Sequence, residues 1–260
     1  MSYTLYTALL SLGLFVGMLV LLEVGRRIGV QRLAQNPEGA EAGVAVVDGA
    51  VFALLGLLIA FTFSGAASRF DTRRQLIVEE TNAIGTAYLR LDMFPTAAQP
   101  ALRENFRRYL DSRIEVYRKL PDIAAAKEEL VKGNKLLGEI WRQAVAVSRA
   151  QGASPAAPML LLPALNAMID ITTTRTMATQ MHPPMVIFAL LFGVALASSL
   201  LMGYGMAGSK KRNWLHTLGL AFVMAASVFV ILDVEYPRLG LIRVDAFDQA
   251  LVELRESMGK

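Results

Sequence analysis

Gly49 to Ala67 reads GAVFALLGLLIAFTFSGAA, and Ser68 to Leu91 continues it as SRFDTRRQLIVEETNAIGTAYLRL. The first part is uncharged and has the roughly 20 apolar residues that a helix needs to cross a bilayer. The second part is abruptly charged, yet Phe70, Ile77, Ile84 and Leu91 recur every seven residues. That period suits helices packed side by side. No glycine or proline interrupts the junction after Gly65, so the spacing predicts one long helix that leaves the membrane and runs on to Pro95.

Working outward, three more stretches are long and apolar enough to span. Leu5 to Val24, LYTALLSLGLFVGMLVLLEV, carries only Glu23 as a charge. It has no basic leader and no small-residue cleavage site, so it reads as a retained helix rather than a signal peptide. Met185 to Met206 follows Pro183 and Pro184, which suit a helix start. Trp214 to Leu232 opens on a residue that favours headgroup depth.

Between Ser68 and Met181 the pattern is helical and water-facing. Leu102, Phe106, Tyr109, Ile114, Tyr117 and Leu120 form an apolar stripe, Asp122 suits a helix cap, and Ser154-Pro155 suits another helix start. Phe247, Leu251, Leu254 and Met258 form the apolar side of a short C-terminal helix. Strand signals are missing. The expected fold is an all-α integral membrane protein of four transmembrane helices, with a helical extramembrane domain inserted between the second and third. The expected division is a transmembrane hairpin over 1–67, the insert over 68–182, a second hairpin over 183–235 and an amphipathic tail over 236–260.

Composition agrees with lipid as a second solvent. The 260 residues are 54% hydrophobic and only 18% charged, with a mean hydropathy of +0.43. Soluble domains carry about 25% charged residues. The net charge of +4 is small, and no basic-aromatic stripe suggests nucleic acid. The chain has no cysteine, which excludes disulfides and thiolate chemistry. His182 and His216 begin consecutive spans, so they fall at opposite membrane faces and read as interfacial polar residues. No catalytic triad, phosphate-cradling glycine loop or HExxH is present. No enzyme, cofactor or metal site is expected.

Orientation follows from the short loops. Arg26, Arg27 and Arg32 follow the first span, and Lys210, Lys211 and Arg212 follow the third. The positive-inside rule then puts both loops in the cytoplasm and the insert and termini outside it.

Three polar clusters stand out. Arg69, Asp71, Arg73, Arg74, Glu79, Glu80 and Asn82 sit on the extension of the second span. They read either as a charged vestibule at a pore mouth or as a salt-bridged helix surface. Asn166, Asp170 and Thr174, four residues apart, share a face of an otherwise apolar helix. That face could line a wet passage, but a buried network joining helices is the favoured reading. Asp233, Glu235, Arg238, Arg243 and Asp245 alternate in sign around the break at Tyr236-Pro237, where interfacial ion pairing to the first cluster is expected. In the second span, Leu57 and Phe61 share one stripe and Leu55, Ile59 and Phe63 another. Either could form a hydrophobic constriction.

The stretches LLGLLIAFTFSGAASRFDTRRQLIVEETNAIGTAYLRLD, HPPMVIFALL, KKRNWLH and VILDVEYPRLGLIRVD resemble the bacterial bestrophin-like domain family. The family is remotely similar to bestrophins, which are pentameric anion channels with four membrane helices per subunit. The resemblance implies a bacterial inner-membrane homo-oligomer that passes small anions, with the second helix around the axis. It places the neck at Ala53, Leu57 and Phe61 or, shifted, at Leu55, Ile59 and Phe63, followed by Arg69-Phe70 and Arg73. No acidic run like the animal calcium clasp follows the fourth span, so calcium gating is not implied. Bestrophins keep the inserted domain in the cytoplasm, opposite to the loop count. The alternative reading is a non-conducting membrane-anchored helical sensor or scaffold.

Overall fold

A computed structural model describes residues 3–35, 44–150, 154–209 and 214–259. Lys210, Lys211 and Arg212, used in the loop count, lie outside these residues. Among the described residues the helices in chain order are α1 (Tyr3–Gln35), α2 (Val44–Leu89), α3 (Gln99–Arg118), α4 (Ile123–Ser148), α5 (Ala156–Ala178), α6 (Met185–Gly205), α7 (Trp214–Glu235) and α8 (Gln249–Ser257). No strand occurs among the described residues. As the spacing predicts, α2 runs unbroken from the apolar stretch into the charged one, then tightens into a 3-10 turn at Arg90–Met93 before Pro95.

Among the described residues five helices are long and apolar enough to cross a membrane: α1, α2, α5, α6 and α7. The sequence reading has four, because α5 is the least apolar of the five and reads as part of the insert. The chain divides into two compact units, one of Met1–Ser68 with His182–Leu241 and the other of Arg69–Met181 with Ile242–Lys260.

In the first unit α1 packs on α6 and α7. Its seam is Thr7, Ser11, Leu14, Met18, Leu22, Gly25 and Gly29, spaced three or four apart as one helix face requires. Small residues let apolar helices approach to backbone contact. A Cβ on Gly25 would overlap the carbonyl of Leu200, and one on Gly203 would overlap that of Leu22.

The second unit closes its own core. Ile84, Leu91, Leu102, Phe106, Tyr109, Ile140, Leu161 and Leu251 belong to one buried cluster drawn from α2, α3, α4, α5 and α8. Burying each such side chain contributes about 1.5–3 kcal/mol. Asp122 caps α4 by accepting from the amide of Ala125 at 3.0 Å. The C-terminal segment is tied into this unit: Arg107 and Tyr88 donate to the carbonyl of Met258, and Arg255 pairs with Asp111 at 2.8 Å.

Candidate functional site

Only 6% of the most apolar window of α2 is buried, against 28–33% for the other four candidate spans. The two candidate neck stripes differ. Leu57 is 51% exposed and Phe61 67% exposed, whereas Leu55 is 1% exposed and Ile59 is half-buried. Phe63 is exposed on its own. Leu55 is therefore corrected from a candidate neck residue to a core residue, covered by its own chain. The two stripes fall on different sides because residues two apart are rotated about 200° around a helix.

The exposed stripe continues beyond Phe61 at steps of three, four or seven through Ser64, Ser68, Gln75, Glu79 and Asn82, all exposed. Asp71, also exposed, lies beside it and takes a hydrogen bond from Arg74 at 3.0 Å. Thus Glu79 and Asn82 share a free face, as their spacing predicts. The arginines do not join them. Arg73 is buried and donates to the carbonyls of Ala178 and Met181 at 3.2 and 3.1 Å, so it fastens α2 to the end of α5. The Arg74 guanidinium lies 4.2 Å from the centre of the Phe247 ring. Arg69 is partly buried. Of the three arginines only Arg73 is withdrawn from the surface; Arg74 stays accessible beside Asp71.

Glu80, adjacent to Glu79, points the other way and is fully buried. Arg113 Nε donates to it at 2.5 Å, and Arg175 Nη1 donates to its other oxygen. Arg175 also donates to Asp248 at 2.8 Å and lies over the Tyr117 ring at 3.8 Å, while Arg113 Nη2 donates to the Tyr117 hydroxyl at 2.8 Å. One carboxylate thus joins α2, α3 and α5 to the C-terminal segment. Burial raises the Glu80 pKa, but the two guanidinium groups outweigh it and hold the carboxyl below its ordinary 4.5. Burial likewise pushes up the Tyr109 hydroxyl, which hydrogen-bonds Thr172 at 2.8 Å.

Asn166, Asp170 and Thr174 share an exposed face of α5, and Thr174 bonds back to the Asp170 carbonyl at 2.9 Å. The favoured buried network is corrected: the opposite face, with Leu161, Leu165 and Met168, is the one that packs.

The third cluster has local partners. Asp233, buried, accepts the amide of Leu241 on both oxygens at 2.9 and 3.0 Å and closes the turn after α7. Glu235, also buried, meets His182 Nδ1 at 2.8 Å, and the His182 ring stacks on Tyr236 at 4.2 Å. His182 is therefore a specific partner rather than a general interfacial residue. Tyr3 joins this end by donating to the Leu232 carbonyl at 2.8 Å. Arg243 pairs with Asp245 at 2.5 Å, and Arg238 is partly buried. Among the described residues no group of three or more histidines and carboxylates could hold a metal.

Apolar helices of this length, with an uncovered α2, define a multi-helix membrane protein. The sequence pattern of the Bestrophin-like domain matches residues 12–246, and the chain belongs to that family. Solved structures agree at the level of fold. A variant of a bacterial bestrophin homolog from Klebsiella pneumoniae superposes with a TM-score of 0.70 at 14% identity, covering 95% of this chain and 99% of that one. A second variant gives 0.69 at 12% identity, covering 94% and 98%. A structure described as a membrane protein gives 0.66 at 12%, covering 93% and 98%. No curated protein matches the chain.

Proposed function

We propose that the protein is a homo-oligomeric membrane ion channel in which the second helix of each copy faces a central pore. The carrying observation is the uncovered stripe of α2, where Leu57 and Phe61 are 51% and 67% exposed in a helix whose apolar window is 6% buried. Surface of that kind needs lipid or further copies of the chain to cover it. Rings of Leu57 and Phe61 would form the restriction, which can gate by dewetting. Four helices span in this reading: α1, the first part of α2, α6 and α7. The fifth apolar helix, α5, stays in water, because its apolar face packs into the core of the second unit and its other face carries Asn166, Asp170 and Thr174.

Family resemblance supports anions as the permeant species. A second reading, cations, is favoured by Asp71 and Glu79, because carboxylate rings at a pore mouth concentrate cations. Purified protein in liposomes tests both, with chloride and potassium gradients applied separately. Chloride-selective flux supports the family expectation, and potassium-selective flux assigns selectivity to the carboxylates. Absence of both fluxes overturns the channel reading in favour of a sensor or scaffold.

A further inference from the structure

A pocket of about 300 Å³ lies in the first unit, lined by residues of α1, α6 and α7. Leu19 and Leu22 of α1 give it an apolar part, Glu23, Arg26 and Arg27 from the next turns of the same helix give it charge, and Trp214 also lines it. Arg26 and Arg27 follow directly on the apolar run that ends at Val24, so they belong at headgroup depth, where tryptophan also concentrates.

The charges do not cancel. Among the described lining residues Glu23 is the one carboxylate against two guanidinium groups, and Arg27 holds it at 3.0 Å. Arg26 Nε reaches the same carboxylate only at 3.9 Å and, though buried, has no hydrogen-bond partner. A buried donor without an acceptor is costly, and an arginine fork matches phosphate oxygens. We infer that this pocket binds the phosphate of an anionic phospholipid headgroup, with Arg26 donating to the phosphate and Leu19 and Leu22 against the glycerol and first acyl carbons. The surplus of one positive charge complements a phosphodiester. The apolar part favours lipid over free phosphate, which would gain nothing from it. This assignment does not depend on conduction.

The test uses the full chain in neutral detergent with Trp141→Phe, which leaves Trp214 as the only tryptophan of the original two. Trp214 emission is followed while short-chain phosphatidylglycerol, phosphatidylcholine of the same chain length, or inorganic phosphate is added. Phosphatidylcholine offers the same phosphate but adds a choline cation, which the surplus positive charge of the pocket disfavours, so phosphatidylglycerol is expected to saturate at a concentration about tenfold lower. Arg26→Gln removes that preference, and Arg26→Lys, which keeps charge but not the fork, reduces it by a smaller factor. Arg32→Gln, on α1 but outside the pocket, leaves it intact. Equal response to both lipids overturns the assignment, as does full preference in both Arg26 variants or equal loss in Arg32→Gln. Saturation by inorganic phosphate at the same concentrations overturns the lipid reading and leaves a free-phosphate site.

Discussion

The two halves of α2 have opposite relations to the rest of the chain. Between Ile77 and Leu89 the helix is charged, yet it sinks Ile77, Glu80, Ile84 and Ala87 to 1% exposure or less. Before Ala67 it is almost purely apolar, yet 6% of its apolar window is buried. Apolar character therefore does not predict burial within one copy of a membrane protein. In water the hydrophobic effect drives apolar residues together, whereas in lipid that drive between helices is lost. The charged half finishes its packing within the chain, and the apolar half leaves it to lipid or to other copies.

The largest expected effect falls on the charged half. Glu80→Gln leaves the Arg113 and Arg175 guanidiniums without their shared buried carboxylate and should cost about 3–5 kcal/mol. Glu79→Gln, one residue away and exposed, should stay within about 0.5 kcal/mol. Thermal unfolding of the two variants in detergent measures the difference; equal losses would break the comparison.

Within the apolar half, Leu55→Ala should cost about 2–5 kcal/mol because it empties a covered site. Phe61→Ala should cost less than about 1 kcal/mol and raise ion flux several-fold, since it removes an uncovered side chain. The same unfolding assay, run beside liposome flux, separates the two stripes.

A smaller effect depends on pH. The folded-state pKa of Glu80 lies below its ordinary 4.5, so its stabilisation is fully present above that value. It is lost as pH falls through the folded pKa. Melting temperature should therefore decline more steeply below 4.5 in the natural protein than in Glu80→Gln. Parallel declines would mean that other groups set the acid limit.

These contrasts also show what the sequence made legible. The apolar runs, the seven-residue repeat from Ile77 to Leu91 and the Asp122 cap are local patterns, and they can be read from neighbouring residues. The Glu80 network is not local: its partners Arg113 and Arg175 stand 33 and 95 residues away. A signal was present all the same, because Glu80 falls three residues after Ile77 and four before Ile84, inside the buried stripe. A carboxylate there needs cationic partners. Arg73, treated as a vestibule charge, could not be told from an exposed arginine without the carbonyls of Ala178 and Met181. Leu55 and Leu57 carry the same side chain, so only packing against the rest of the chain could separate them. The polar face of α5 was found by spacing, but spacing could not say whether that face or its opposite was covered.

The most direct measurement takes advantage of the cysteine-free chain. Phe61→Cys protein is reconstituted in liposomes, and ion flux is measured before and after a charged, membrane-impermeant thiol reagent applied to both faces. If the uncovered stripe lines the conduction path, the reagent should abolish or sharply reduce flux, while the same treatment of Leu215→Cys, exposed in α7, leaves it unchanged. Undiminished flux in the modified Phe61→Cys protein would contradict the assignment of this stripe to the pore.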